Sequence, residues 1–428
     1  MRFVQRQMTD KRWFRSAIAS SLLIGIALCA YLAARQGIGA WYFRQKSPQA
    51  IQAAIGWDPG NPEYFDALGT LTRLYSDSAN PWRIIELYKT AVRLSPENAQ
   101  YWADLGSAYE GAGRTGEALG AFERAAQLFP RSPDINWKLA NFYIRAGRVP
   151  EGLRTLQKVL LGDAGASPQV FALATSATRD SEAVLNNLLP PRPGVFFDYI
   201  DFQDRAGRIK GAQQTWTRLL QLNLAFDLRR ALPYLDSLIQ QRETAALAQA
   251  WSALAARFPD RIHPSELAGD RITNGSFEFE ILNGGLDWRV APVEGVIVSV
   301  DSLNRFDGVR SLRIEFDGSR NIVYGETLQY ALVEPDSRYE LSAHMRVEGI
   351  TTDSGPRMEV FDPYDTNKLY LYTSGLVGDS EWSLQRIDFK TGPDTRLIVV
   401  RVARPASKKL DNRIKGEIWL DQVSLVRH

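Results

Sequence analysis

"YWADLGSAYEGAGRTGEALGAFERAAQLFP" (residues 101–130) is followed by "INWKLANFYIRAGRVPEGLRTLQKVLLGDA" (135–164), and aligning their AGR triplets aligns the rest. Gly113 and Gly147 lie 34 residues apart, and at that offset Leu105 meets Leu139, Gly106 meets Ala140 and Tyr109 meets Tyr143. Ala118 then meets Gly152, and Phe122 meets Leu156. A segment that recurs at a fixed period of this length is one supersecondary unit. It cannot bury its apolar face alone, so it stacks on copies of itself.

One period upstream, "WRIIELYKTAVRLSP" (82–96) supplies Ile84, Tyr88, Ala91 and Pro96 at the same places, while Phe65, Leu68 and Gly69 suit its first helix within 61–96. Downstream, "FFDYIDFQDRAGRIKGAQQTWTRLLQLN" (196–223) repeats the AGR turn, and "AALAQAWSALAARFP" (245–259) repeats a second helix with its terminal proline. Between them "PQVFALATSATRDSEAVLNNLLPPRP" (168–193) is too short for a standard unit and reads as a degenerate pair. The pattern resembles the tetratricopeptide repeat, whose marked positions are all filled here by Trp102, Leu105, Gly106, Tyr109, Ala118, Phe122, Ala125 and Pro130. The resemblance implies an all-α right-handed solenoid over 48–262, built of four to six hairpins, with a concave groove for a peptide of a partner protein. The aromatic stripe by itself reads as core, and no residue names the ligand. A linker, "DRIHPSELAGD" (260–270), ends the helices.

The +2 net charge is distributed unevenly. Residues 1–46 hold eight Lys/Arg against one acid, 47–269 hold 23 of each sign, and 270–428 hold 20 against 25. Neither of the two larger regions has the basic footprint of a nucleic-acid binder. The basic start flanks an uncharged run of 19 residues, "SAIASSLLIGIALCAYLAA" (16–34), long enough for a transmembrane helix. Arg2, Arg6, Lys11, Arg12 and Arg15 in the 1–15 tail orient the N-terminus toward the cytoplasm and the bulk toward the periplasm. Trp13 and Phe14, then Trp41, Tyr42 and Phe43, suit the two membrane interfaces. A cleaved signal peptide is the alternative. Cys29 is the only cysteine, so no internal disulfide forms.

From 271 onward the period changes to two. "YELSAHMRV" (339–347) puts Tyr339, Leu341, Ala343, Met345 and Val347 on one face and Glu340, Ser342, His344 and Arg346 on the other. "GEIWLDQVSLVR" (416–427) puts Ile418, Leu420, Val423 and Leu425 inward, with an irregularity near Asp421–Gln422. Such strands predict an all-β two-sheet sandwich over 271–428. The ordered pieces "NGSFE" (274–278), "DGVRSLRIEF" (307–316), "VEPDSRYELSAHMR" (333–346) and "GEIWLDQVSL" (416–425) resemble carbohydrate-binding modules of the galactose-binding-like jelly roll.

That resemblance implies a structural calcium where the first and last strands meet, held by Glu278 and Asp421; the plainer reading is a turn closed by Asp421 and a surface Glu278. It also implies a sugar site of exposed aromatic planes beside fixed polar groups. The candidates are Tyr324, His344 and Arg346 on one open sheet face, Tyr370 and Tyr372 on one face of "LYLYTS" (369–374), and Trp288 at the loop rim, with Trp382 and Trp419 as further aromatics. Core packing is the alternative for each ring, and a cross-strand pair with Glu359 is the alternative for Arg346.

The signs of catalysis are few. The three histidines are far apart, there is no phosphate-binding loop and no GxSxG elbow, and the paired acids Glu359 and Asp362 sit in a strand running into a Pro turn. No enzyme is expected. The combination looks like membrane-anchored proteins of bacterial exopolysaccharide or O-antigen systems. This implies an inner-membrane scaffold that docks a protein of that machinery and holds a polysaccharide. A pure assembly scaffold and a diverged glycoside hydrolase are the alternatives.

Overall fold

Glycine spacing and helix caps together explain the helical part. In the computed structural model, which describes residues 2–75, 80–264 and 269–428, the AGR glycines Gly113, Gly147 and Gly207 have φ of 72°, 76° and 67°. Each lets the chain leave a helix through a six-to-one bond: Arg114 N to Tyr109 O (2.9 Å), Arg148 N to Tyr143 O (2.8 Å) and Arg208 N to Gln203 O (2.9 Å). The triplet's arginine then covers the preceding helix's tyrosine, with Arg114 5.3 Å above the Tyr109 ring and Arg148 4.7 Å above Tyr143. Residues 76–79 of the 61–96 repeat and 265–268 of the linker lie outside the described residues, as do the side chains of Arg2, Arg6, Lys11, Arg12 and Arg15.

The chain divides into two compact units, 1–202 and 203–428. The boundary falls inside a helix, not in the expected linker. The first unit holds α1 (Arg2–Phe43), α2 (Pro48–Trp57), α3 (Pro62–Tyr75), α4 (Pro81–Leu94), α5 (Ala99–Gly111), α6 (Thr115–Leu128), α7 (Pro133–Arg145), α8 (Val149–Gly162), α9 (Ser167–Ala177) and α10 (Ser181–Asn187), and most of α11 (Pro193–Arg205). Side chains of Ser47, Asn80, Asn98 and Ser132 accept amide bonds at the starts of α2, α4, α5 and α7, and proline follows three of these caps.

The repeat positions pack for a visible reason. A Cβ on Gly106 would meet the Phe122 ring at 2.9 Å, and one on Gly69 would meet Tyr88 at 3.0 Å, so the small residue of one helix seats the ring of the next. Ala118 and Ala125 are fully buried. The short stretch after α8 is the degenerate pair α9–α10.

α1 is longer than the expected span, and its apolar part, Ser16–Phe43, is long enough to cross a membrane by length and composition. At its C-terminal end Trp41 is exposed, whereas Tyr42 and Phe43 turn toward the first repeat helices. Tyr42 and Phe43 pack on the cluster of Ile51, Ala54, Tyr64 and Leu68, with Phe43 and Tyr64 ring centroids 4.9 Å apart. The apolar helix therefore runs straight into the first repeat helices.

The second unit opens with α12 (Ile209–Gln221), α13 (Leu232–Gln240) and α14 (Thr244–Arg257). Among the described residues ten strands follow: β1 (Arg289–Val290), β2 (Val296–Asp301), β3 (Ser311–Asp317), β4 (Tyr324–Leu332), β5 (Arg338–Ile350), β6 (Arg357–Phe361), β7 (Tyr370–Tyr372), β8 (Gly378–Lys390), β9 (Leu397–Arg404) and β10 (Lys415–Arg427). They form two antiparallel five-stranded sheets, ordered β1-β4-β9-β6-β7 and β2-β3-β10-β5-β8. One core joins their inner faces, including Leu341, Met345, Ile418 and Leu420 from one sheet and Val360, Ile398, Val400 and Val402 from the other. The alternation read for β5 holds residue by residue. The irregularity near Asp421 is a register shift between Asp421 and Ser424, with Gln422 at φ 49°.

Candidate functional site

His344 and Arg346 do point away from the core on β5, but the face they occupy is not open. The 302–310 segment folds over it. Phe306 stacks on the His344 ring at 3.6 Å, and Asn304 Oδ1 accepts a 2.7 Å bond from Arg346 Nη1. Arg346 also lies 5.1 Å from the Trp419 ring, and Trp382 meets Phe306 edge-on. Burial lowers the His344 pKa, and its Nδ1 is buried without a hydrogen-bond partner.

Tyr324 and Trp288 are corrections. Tyr324 lies on β4, in the other sheet from β5, and is 2% exposed, with its hydroxyl 2.6 Å from Thr327 Oγ1. A register shift between Tyr324 and Thr327 turns both inward. Trp288 is 0% exposed, packs on Phe277 and donates its indole N–H to Asn274 O. Neither ring can offer a plane to a ligand. The alternative Arg346–Glu359 pair does not form either, because β5 and β6 belong to different sheets.

The covering segment is held by the two expected calcium ligands. Asp421 Oδ2 accepts the amides of Phe306 (2.9 Å) and Asp307 (3.1 Å), while Glu278 Oε1 accepts those of Val309 (2.7 Å) and Arg310 (3.2 Å). Two carboxylates thus converge on one turn. Burial raises the Asp421 carboxyl above its ordinary range, and the Glu278 charge adds to the rise. The pair fits a hard cation in donor type and charge, although amides already occupy both Asp421 oxygens. A second group, Glu340, Asp388 and His428, has ligand atoms within 4.8 Å of one another. It gave no sequence signal because its members come from different strands and the chain end, and Arg386 already contacts Glu340 at 3.3 Å.

Tyr370 and Tyr372 share a face, as their spacing implied. They lie on the edge strand β7, 42% and 54% exposed, with ring centroids 5.7 Å apart. In register beside them, β6 and β9 bring outward Phe361, Glu359, Arg357 and Arg401. Glu359 is 2% exposed, and its two oxygens are divided between two guanidinium groups: Arg357 on Oε1 (2.7 and 3.0 Å) and Arg401 on Oε2 (2.7 and 2.9 Å). Tyr370 OH donates to Oε1 at 2.9 Å. Burial alone would raise the Glu359 carboxyl, but the bonds from Arg357 and Arg401 outweigh it and hold it low. Arg357 lies 3.7 Å from the Tyr372 centroid and Arg401 4.7 Å from that of Phe361. The result is a pair of exposed rings bordered by polar atoms fixed from below. Sequence reasoning found the rings but not the arginines, which lie on two other strands.

The loop that opens the β-region is the seam on which the last helical pair sits. Asp236 of α13 receives Arg289 Nη2 (2.5 Å) and Nη1 (3.1 Å) and the Gly285 amide (3.0 Å). Gly285, at φ 60°, lies so close to Trp251 of α14 and Leu235 of α13 that a Cβ would come within 2.7 and 2.8 Å of them. Tyr364 OH donates to Ile239 O at 2.6 Å, and Arg242 covers the Tyr364 ring. Gly284 and Gly285 serve this helix-to-sheet packing, while Asp287 accepts the Leu282 amide within the loop.

Residues 109–177 match the family profile described as tetratricopeptide repeat. The TPR repeat-containing protein YpiA of Bacillus subtilis (strain 168) is 29% identical over 116 residues, 27% of this chain and 27% of that protein, so the chain matches about a quarter of this curated relative. Among solved structures, a crystal structure of MamA covers 41% of this chain and 86% of its own, at 19% identity and a TM-score of 0.27. A structure titled Family 16 Carbohydrate Binding Module-2 covers 36% and 98%, at 20% identity and a TM-score of 0.25. The profile match and the AGR geometry agree on tetratricopeptide repeats within residues 109–177.

Proposed function

We propose that the chain is a membrane-anchored, non-enzymatic scaffold whose repeats dock a protein partner and whose sandwich holds a polysaccharide strand. The observation that carries the glycan half is the Tyr370–Tyr372 pair, exposed side by side next to the fixed Glu359 carboxylate. Sugar rings present apolar C–H faces to such planes and hydroxyls to such polar groups. The acids named for hydrolysis are engaged otherwise: Glu359 holds two arginines, and the buried Asp362 caps its own turn through the Tyr364 amide and accepts from Thr395. Such engagement argues against a general acid/base pair there.

The apolar α1 is the anchor in this reading, with the N-terminus cytoplasmic and the bulk periplasmic in an inner membrane. Exopolysaccharide or O-antigen assembly is the setting. Calcium belongs to the same reading. Glu278 and Asp421 would hold it at the 306–310 turn, and a chelator should then lower the melting temperature of metal-loaded protein; an unchanged melt would remove the ion.

The direct test is a glycan array probed with the full chain in detergent, alongside Tyr372→Ala. Binding that the substitution weakens supports the site. A chain that binds no glycan, yet recruits a protein partner, would favour the pure scaffold.

A further inference from the structure

We propose that the Tyr370–Tyr372 face selects acidic saccharides, a uronate-containing strand being the simplest chemistry. The proposal rests on the glycan reading above and adds the ligand's charge. Two guanidinium groups share one buried carboxylate, so the cluster carries one positive charge in excess. That excess stands out against the surrounding chain, where residues 270–428 hold 25 acids and 20 Lys/Arg. Each arginine meets Glu359 through Nε and Nη2, the side-on edge of the guanidinium, which leaves its Nη1 end turned away from that carboxylate. Both guanidinium groups also lie over rings of the same face, Arg357 over Tyr372 and Arg401 over Phe361.

An anionic sugar therefore meets cations whose positions are already fixed from below. Little ordering entropy remains to be lost, and the bonds formed are charge-assisted. A neutral sugar would use the rings and leave the excess charge unanswered.

The test uses the full chain in detergent, with polygalacturonate, alginate and hyaluronate, each beside its carboxyl-reduced form. The backbone of each polymer is kept while its charge is removed. Calorimetry should show the acidic form binding about tenfold or more tighter, as one charge-assisted bond implies, with the ratio shrinking as salt rises. Arg401→Gln should abolish most of the preference while keeping weak binding to the reduced form; Glu359 stays paired with Arg357 in that variant. Tyr372→Ala should weaken both forms.

Equal binding of acidic and reduced polymers, lost in Tyr372→Ala, would overturn acid selection and leave the glycan site standing. Binding of the acidic form unchanged in Arg401→Gln and Tyr372→Ala would place the attraction elsewhere, the basic N-terminal tail first, and overturn the proposal. Failure of all six polymers to bind would overturn both the site and its selectivity.

Discussion

Gly285→Ala tests whether the sandwich is packed on the last helical pair. The position has φ 60°, which costs a residue with a Cβ roughly 1–2 kcal/mol. The new methyl would also come within 2.7 Å of Trp251 Cζ3 and 2.8 Å of Leu235 Cδ1, closer than carbon atoms pack. Overpacking of this kind adds roughly 1–3 kcal/mol. The sum, roughly 2–5 kcal/mol, lowers the melting temperature by about 4–20 °C at about 2–4 °C per kcal/mol for a unit of this size. Gly378→Ala is the control. Its φ is 68° and nothing lies within 4 Å of the added atom, so it carries the backbone cost alone, a loss of about 2–8 °C. Melting followed by circular dichroism, with limited proteolysis near residues 260–270, reads both variants. Equal losses in the two would mean that Trp251 and Leu235 do not press on Gly285, and the seam would be refuted.

Ala118→Trp should force apart α5 and α6 and lower stability by roughly 1–3 kcal/mol; an unchanged melt would put the repeat register in error. Asp66 has its carboxyl pushed up to about 7, by burial first and then by the Asp104 charge. A raised acid binds its proton more tightly folded than unfolded, so its contribution to stability is present at low pH and is lost as pH rises from about 4 to 7. Asp66→Asn should therefore raise the melting temperature at pH 8 and change it little near pH 4; the opposite pattern would refute the assignment. Reporter fusions after residue 46 should be active only with periplasm-specific reporters, and cytoplasmic activity there would reject the anchor's orientation.

What the sequence revealed follows the physics of each signal. The AGR glycines were legible because only glycine takes a positive φ freely, and they mark three of the helix turns. A fourth turn makes the same six-to-one bond, Glu243 N to Leu238 O, but with Arg242 at φ 62° in the glycine's place. Composition gave no sign of it, so α13 went unread. Along β5 the period of two was enough to sort inside from outside.

The site was less legible because it depends on which strands become neighbours. The resemblance implies Tyr324 on one sheet face with His344, yet β4 and β5 lie in opposite sheets, and the bulge before Thr327 shifts the face again. Likewise Arg357 and Arg401 are 44 positions apart in sequence and meet only through Glu359. "NGGLDWRV" (283–290) reads by its glycines only as a turn. Its role as a helix-docking loop needed the partners Asp236, Leu235 and Trp251 to be seen.

A glycan held on the Tyr370–Tyr372 face would shield the strands that form it. Hydrogen–deuterium exchange of the full chain, with and without a bound polysaccharide, tests it most directly. Glycan on this face should slow exchange in 357–361, 369–373 and 399–403, with 302–310 and 342–346 unchanged. Protection confined to 302–310 and 342–346 would contradict it and move the site to the His344 sheet.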